Sequence, residues 1–562
     1  MYSPARTTAL ASTMILVLAT AAAASRFQSV QPKQPNGSIS GRVTIGDLPG
    51  RRINVILVSA EYGPNERPIA KATTDLDGHF QMTGVPAGQY LLQAFAPALI
   101  VTPSDNVMGR PGKVINLTAG EALEGVDITL TRGAAITGRV SDADGEPLIQ
   151  ENVRLLAVNE QGGKSSVYLP YGFMSTTDDR GLYRLFGVPA GRYILCVGVG
   201  VDTNAPTTGM AGSGNRYYPL TYHPDVTDEA KATVVEVAAG SEALGVDIVL
   251  GRASKAYSVS GRIVDADTGK PIVAILYGYG WTDREGRVNS TSFANSTSGA
   301  RGEFRLDGVA PGRYSAFAYP TPDSEKYSDT APFTVSDSDV AGIEIKVHRG
   351  SSISGIVIIE GAEGQLGAPR LSDLRLNVSS GSLNVAPVGR VVTVAADGSF
   401  RIPGLQRGIA SLRLSTFPTP KGLSLLRVER DGVEQKNGIE VGLAEEISGV
   451  RVVFGYGTGA IRGQVQVEGS EIPPGAMMFL SLQRSGTNEP RQYRRPPVAD
   501  SRGKFAVDGL LPGEYELSLT FQVRPVSGSP QMSPKFVKQT VTVTNGAETR
   551  VTMVVDLNEK NQ

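Results

Sequence analysis

A chain of 562 residues exceeds what a single β-rich core can organise and fits four or five domains of ordinary size. Lys and Arg number 54 against 55 Asp and Glu, so the formal net charge of -1 gives no field to draw the chain onto nucleic acid or anionic lipid. The 66 Gly and 35 Pro exceed the usual shares of about 7% and 5%, while 40% of residues are hydrophobic, a balance that favours many turns between short strands.

The chain opens with Arg6, an apolar run from Leu10 to Ala19, and the small residues Ala21 to Ala24 before Ser25. This pattern predicts an export signal over 1–24, a linker over 25–35, and a mature chain without a membrane span, because the apolar run is shorter than the ~20 residues a span requires. Cys196 is the only cysteine, so no intramolecular disulfide can form and each domain must be held by its own core.

Five repeats follow. Ser40-Gly41-Arg42-Val43 recurs as Thr137-Gly138-Arg139-Val140, Ser260-Gly261-Arg262-Ile263, Ser354-Gly355-Ile356-Val357 and Arg462-Gly463-Gln464-Val465, each copy one small domain beyond the last. Each copy carries a second signature, a polar Gly turn that runs into an aromatic: Asp77-Gly78-His79-Phe80, Arg180-Gly181-Leu182-Tyr183, Arg301-Gly302-Glu303-Phe304, Asp397-Gly398-Ser399-Phe400 and Arg502-Gly503-Lys504-Phe505. A third is a Gly/Pro turn ending in Tyr90, Tyr193, Tyr314 or Tyr515, and the fourth copy has Ala410 at that place. Alternating strands such as Val126–Leu130 and Val246–Leu250 close the repeats, with one face for a core and one for water. The reading is an all-β chain of five tandem antiparallel sandwiches in an elongated string, over 36–131, 132–251, 252–349, 350–455 (divergent) and 456–557, with a tail over 558–562.

These three signatures resemble the carboxypeptidase regulatory-like domain, a transthyretin-like β-sandwich of exported bacterial proteins, over nearly all of the mature chain. The resemblance implies a sandwich fold and an accessory module found beside many catalytic or transport domains; it implies no activity of its own.

The search for chemistry yields little. His79, His223 and His348 fall in three different repeats and in no zinc-ligand motif, so neither a metal nor a cofactor is expected. Cys196 lies in the apolar strand Ile194–Val197 and reads as a buried, inert thiol. The acidic turns at Asp75, Asp142 and Asp265 offer too few oxygens for calcium and read as local Asx turns. Aromatic residues are the remaining candidates. Tyr277, Tyr279 and Trp281 alternate along one strand face, and the second repeat carries Tyr168, Tyr171, Phe173, Tyr217, Tyr218 and Tyr222. Tyr217, Tyr218, Tyr222, Tyr279 and Trp281 are candidate glycan contacts; against this, Tyr277 shares the parity of Val273 and Ile275, which predicts that the stripe fills the core instead. The expected function is non-catalytic: an exported interaction or spacer protein, periplasmic or extracellular, whose partner is a protein or polysaccharide of the cell envelope, with carbohydrate binding as the alternative.

Overall fold

A computed structural model describes residues 35–557 apart from 61–66, 102–105, 108–109, 160–161, 168–175, 201–215, 284–287, 366, 380–389, 417–419, 474–475, 487–496 and 524–532. The signal, the tail, Tyr168, Tyr171 and Phe173 lie outside the described residues. Nearly all regular structure is β, with two single-turn 3-10 segments, Glu229–Lys231 and Leu371–Asp373, and no α-helix among the described residues.

The chain is a run of five β-sandwich domains, each a pair of sheets around its own apolar cluster. In the first, Gly37–Ile45, His79–Val85 and Ile128–Arg132 share one sheet, while Lys113–Leu117, Gly88–Phe95, Asn54–Ser59 and Ala70–Thr73 form the other. In the fifth, Lys504–Leu510, Gly459–Val467 and Glu548–Val555 face Ala476–Arg484, Gly513–Val523 and Lys535–Val543. Alternation along the strands turns Ile39, Val43, Phe80, Met82 and Ile128 inward in the first domain, and Ile461, Val465, Phe505 and Val507 in the fifth. Each fully buried aliphatic side chain stabilises its sandwich by about 1.5–3 kcal/mol.

The sheets are not wholly antiparallel. Opening and closing strands lie side by side and run parallel in every domain, with registers such as Val43↔Ile128, Val140↔Ile248, Ile263↔Ile345, Val357↔Val452 and Val465↔Met553. A parallel pair cannot be joined by a tight turn, so the rest of each domain serves as its crossover. This pairing explains the first glycine of the repeat. A Cβ at Gly41, Gly138, Gly261 or Gly355 would sit 2.1, 2.0, 1.8 or 1.8 Å from the carbonyl oxygen of Val126, Val246, Ile343 or Val450 in the closing segment. The second glycine is needed for its backbone: Gly78, Gly181, Gly302, Gly398 and Gly503 all have φ between 72° and 87°, and their carbonyls accept from the opening strand at 2.7–2.8 Å.

The third signature is a corner. The hydroxyls of Tyr90, Tyr193, Tyr314 and Tyr515 donate to the carbonyls of Pro86, Pro189, Ala310 and Leu511 at 2.8, 2.7, 3.0 and 2.9 Å, four residues back in each case. Ala410 fills this place in the fourth domain, fully buried and without such a bond.

Two expectations change. Val273 points to solvent, not into the core, because Ala274 has φ 55° and breaks the alternation before the strand Leu276–Thr282 begins. The five-domain string is also not elongated. Neighbours touch along the chain, and the fifth domain then meets the first, so the contacts close into a ring.

Candidate functional surface

The structure does not bring the candidate aromatics into one exposed surface. Tyr217 is buried where the second and third domains meet, pairing with Ser254 and packing on Ala256 and Ala310. Tyr218 is half-buried against the second core, and Tyr222 is buried on the other face of that sheet with Ile194, Cys196 and Leu220. Tyr279 is half-buried in the third core, edge-on to Tyr314 at 5.6 Å, and Tyr314 in turn stacks on Phe333. Trp281 continues this stripe, half-buried beside Tyr314 across the strand pair, with its indole N–H enclosed and without an acceptor among the described residues.

Other candidates resolve locally. Cys196 is buried and free, and desolvation pushes its thiol up, away from reactivity. Asp75 and Asp142 each accept two nearby backbone N–H groups and serve their own turns, while Asp265 accepts from Thr268 and with its other oxygen pairs with Lys326 at 2.8 Å. His348, without an acidic neighbour in sequence, gains one in space: its Nε2 lies 2.6 Å from Asp329, and its ring stacks on Tyr327 at 5.2 Å.

A cluster of converging polar groups that motif reading missed lies at the contact of the first and fifth domains. The first domain contributes an edge strand, Lys113–Leu117, and the turn after it; the fifth contributes the turn Asp500–Lys504 and the edge strand beginning there. Asn116 is buried at the centre. Its amide N–H donates to Asp500 Oδ2 at 3.3 Å, its side-chain nitrogen donates to the Lys504 carbonyl at 2.8 Å, and its carbonyl accepts from Arg502 at 2.9 Å. Gln89 adds a bond of 2.8 Å to the Val498 carbonyl. Glu121 receives Arg502 at 2.8 Å and Lys504 at 3.2 Å on the same oxygen. Its other oxygen caps the Thr118 amide and hydroxyl at 2.8 and 2.9 Å. Desolvation alone would raise the Glu121 carboxyl, but the Thr118 amide, Arg502, the Thr118 hydroxyl and Lys504 outweigh it and hold the group down at about 2.

The junctions along the chain are built otherwise. Between the second and third domains, Arg216–Tyr217 pairs with Ser254–Lys255 as a short ribbon over an apolar patch. Between the third and fourth, Arg390 of the fourth domain is buried and donates to the carbonyls of Thr321, Lys326 and its own Gly404. Between the fourth and fifth, the Leu511 side chain and the Leu510 carbonyl lie so close to Gly455 and Gly457 that a Cβ at either glycine would be within 2.8 Å of them. Opposed charges also bridge the third and fourth domains, where the Arg401 guanidinium holds both oxygens of Glu325, but there the chain itself joins the two domains.

No protein-family model matches the sequence, and no curated protein matches it. Among solved structures, the chain is similar to a streptococcal ancillary pilin, at 15% identity and TM-score 0.23 over 56% of this chain and 99% of that one. It is similar to the shaft pilin SpaA of Lactobacillus rhamnosus GG, at 16% identity and TM-score 0.17 over 38% of this chain and 97% of that one. A third is BcpA, the major pilin subunit of Bacillus cereus, at 11% identity and TM-score 0.15 over 56% of this chain and 99% of that one. Scores this low do not equate the shapes of the chains.

Proposed function

We propose that the protein is an exported, non-catalytic scaffold of the cell envelope, five sandwich modules held in a closed arrangement, that engages a protein or polysaccharide there. The observation that supports this reading is how the polar side chains are used. The turn carboxylates Asp75 and Asp142 bind their own backbones, corner tyrosines bind their own turns, and a polar cluster joins the first domain to the fifth. The N-terminal pattern of Arg6, apolar run and Ala21–Ala24 supports export, to the periplasm or beyond the cell. The three repeat signatures support the carboxypeptidase regulatory-like type of module, whose implied role is accessory.

Capture of envelope proteins and glycans by the full mature chain tests the proposal. Saturable retention of an envelope component by folded protein is the expected result. Turnover of peptide, ester or glycoside substrates by the purified chain would overturn the non-catalytic reading, and saturable binding on a glycan array would select carbohydrate as the partner.

A further inference from the structure

We propose that the contact between the first and fifth domains is exchangeable: it closes one copy on itself when dilute, and joins the fifth domain of one copy to the first domain of another when copies are crowded. The inference starts from the scaffold reading and names a second copy of this chain as a partner.

Three observations carry it. The contact is polar, with Glu121 set against Arg502 and Lys504 at 2.8 and 3.2 Å, and no covalent tether crosses it. Such pairs specify a partner and weaken with salt, whereas the other junctions are tied by the chain itself. Second, opening exposes two sheet edges. Lys113–Leu117 and Lys504–Leu510 each end a sheet, and both the N–H and the carbonyl of Asn116 are occupied by side chains of the fifth domain. An opened chain therefore presents free strand edges together with a buried Asn and Asp that have lost partners, and these are driven to re-pair. Third, the two faces are different and complementary. A contact between unlike faces repeats head to tail, giving closed rings or open runs of copies. Closure within one chain competes through its effective concentration, about millimolar for flexible tethers, so exchange belongs to dense arrays of copies and not to dilute solution.

Complementation between variants of the full mature chain tests this. Lys504→Glu sets a carboxylate against Glu121 on the fifth-domain face, and Glu121→Lys sets a cation against Arg502 on the first-domain face. Each variant alone is expected to lose closure, read as a larger radius of gyration in X-ray scattering, and to stay monomeric. Mixed, the untouched first domain of the Lys504→Glu chain and the untouched fifth domain of the Glu121→Lys chain rebuild one native contact. The expected result is a heterodimer by light scattering, appearing only in the mixture and dissolving in high salt. Asn116→Asp, which opposes Asp500, replaces Glu121→Lys if that chain melts early. Variants that remain compact, or that open while the mixture stays monomeric at about 1 mM, overturn the proposal. The readout uses no envelope component, so its failure is distinct from failure to find an envelope partner.

Discussion

The second and fifth domains carry the same turn and use it differently. In Asp178-Asp179-Arg180-Gly181-Leu182, one carboxylate oxygen accepts the Arg180 and Leu182 amides at 2.9 and 2.8 Å, and the other holds the Arg180 guanidinium at 2.8 Å. In Asp500-Ser501-Arg502-Gly503-Lys504 the corresponding distances are 3.0, 3.0 and 2.7 Å. The local chemistry is the same, but the surroundings are not. The Arg180 and Asp178 side chains are 72% and 37% exposed, whereas Arg502 and Asp500 are 31% and 2% exposed, because Asn116 and Glu121 of the first domain cover them. A motif that builds a turn becomes an interaction surface only through what is set opposite it.

The largest expected effect falls on what the two domains share. Tyr193→Ala and Tyr515→Ala each remove a buried ring and its corner bond, and each should cost its own domain about 3 kcal/mol or more in denaturant melts. The losses should be equal within error, since each corner is built inside its own domain. A much larger loss at Tyr515 would mean that the fifth domain's fold depends on its neighbours.

The next effect separates the domains. Arg502→Ala removes charged hydrogen bonds to Glu121 and to the Asn116 carbonyl and should weaken closure by about 2 kcal/mol, read as faster hydrogen exchange along Lys113–Leu117. Arg180→Ala removes a solvent-screened ion pair of the same geometry and should leave the melting midpoint of the second domain unchanged. Equal effects of the two substitutions would erase the distinction.

This pairing also marks what the sequence could reveal. The opening-strand glycines, the turn glycines and the corner tyrosines recur because each meets a constraint inside its own domain: an atom under 2.2 Å from any Cβ (a carbonyl oxygen in four copies, the Phe505 ring at Gly463), a positive φ, or a carbonyl four residues back. Constraints of that kind repeat with the domain and stand out in a single sequence. The role of Arg502 does not, because nothing in its own turn distinguishes it from Arg180, and Asn116 and Glu121 lie hundreds of residues away. Within the third domain, Tyr277 does pack in the core, as the parity of its strand predicts, but Val273 does not, since one left-handed residue at Ala274 resets the alternation. Of the candidate glycan contacts Tyr217, Tyr218, Tyr222, Tyr279 and Trp281, the first three are parted between a domain junction and the two faces of one sheet, and the last two lie half-buried in the third domain, placements that long-range packing decides.

A smaller, shared effect is the corner hydroxyl alone. Tyr193→Phe and Tyr515→Phe keep the ring and lose one hydrogen bond, which should cost about 1 kcal/mol in each domain. Burial pushes the Tyr193 phenol up to about 12, so the corner should also withstand alkaline solution to near that value, checked by ultraviolet titration of phenolate.

The smallest effect is the response of closure to acid. The Glu121 carboxyl is held at about 2 in the closed chain, below the ~4.3 of an unperturbed glutamate. A carboxylate with a depressed value binds its partners most strongly when ionised, so its contribution is complete above about pH 4.3 and is lost as pH falls from there toward 2. Part of the depression comes from the Thr118 amide and hydroxyl, which belong to the first domain and stay with Glu121 when the contact opens. Only the share due to Arg502 and Lys504 couples protonation to opening, so the radius of gyration should rise modestly between pH 4 and pH 2, before the domains themselves melt. Glu121→Gln should remove this dependence, and persistence of the same transition in that variant would assign it to another group.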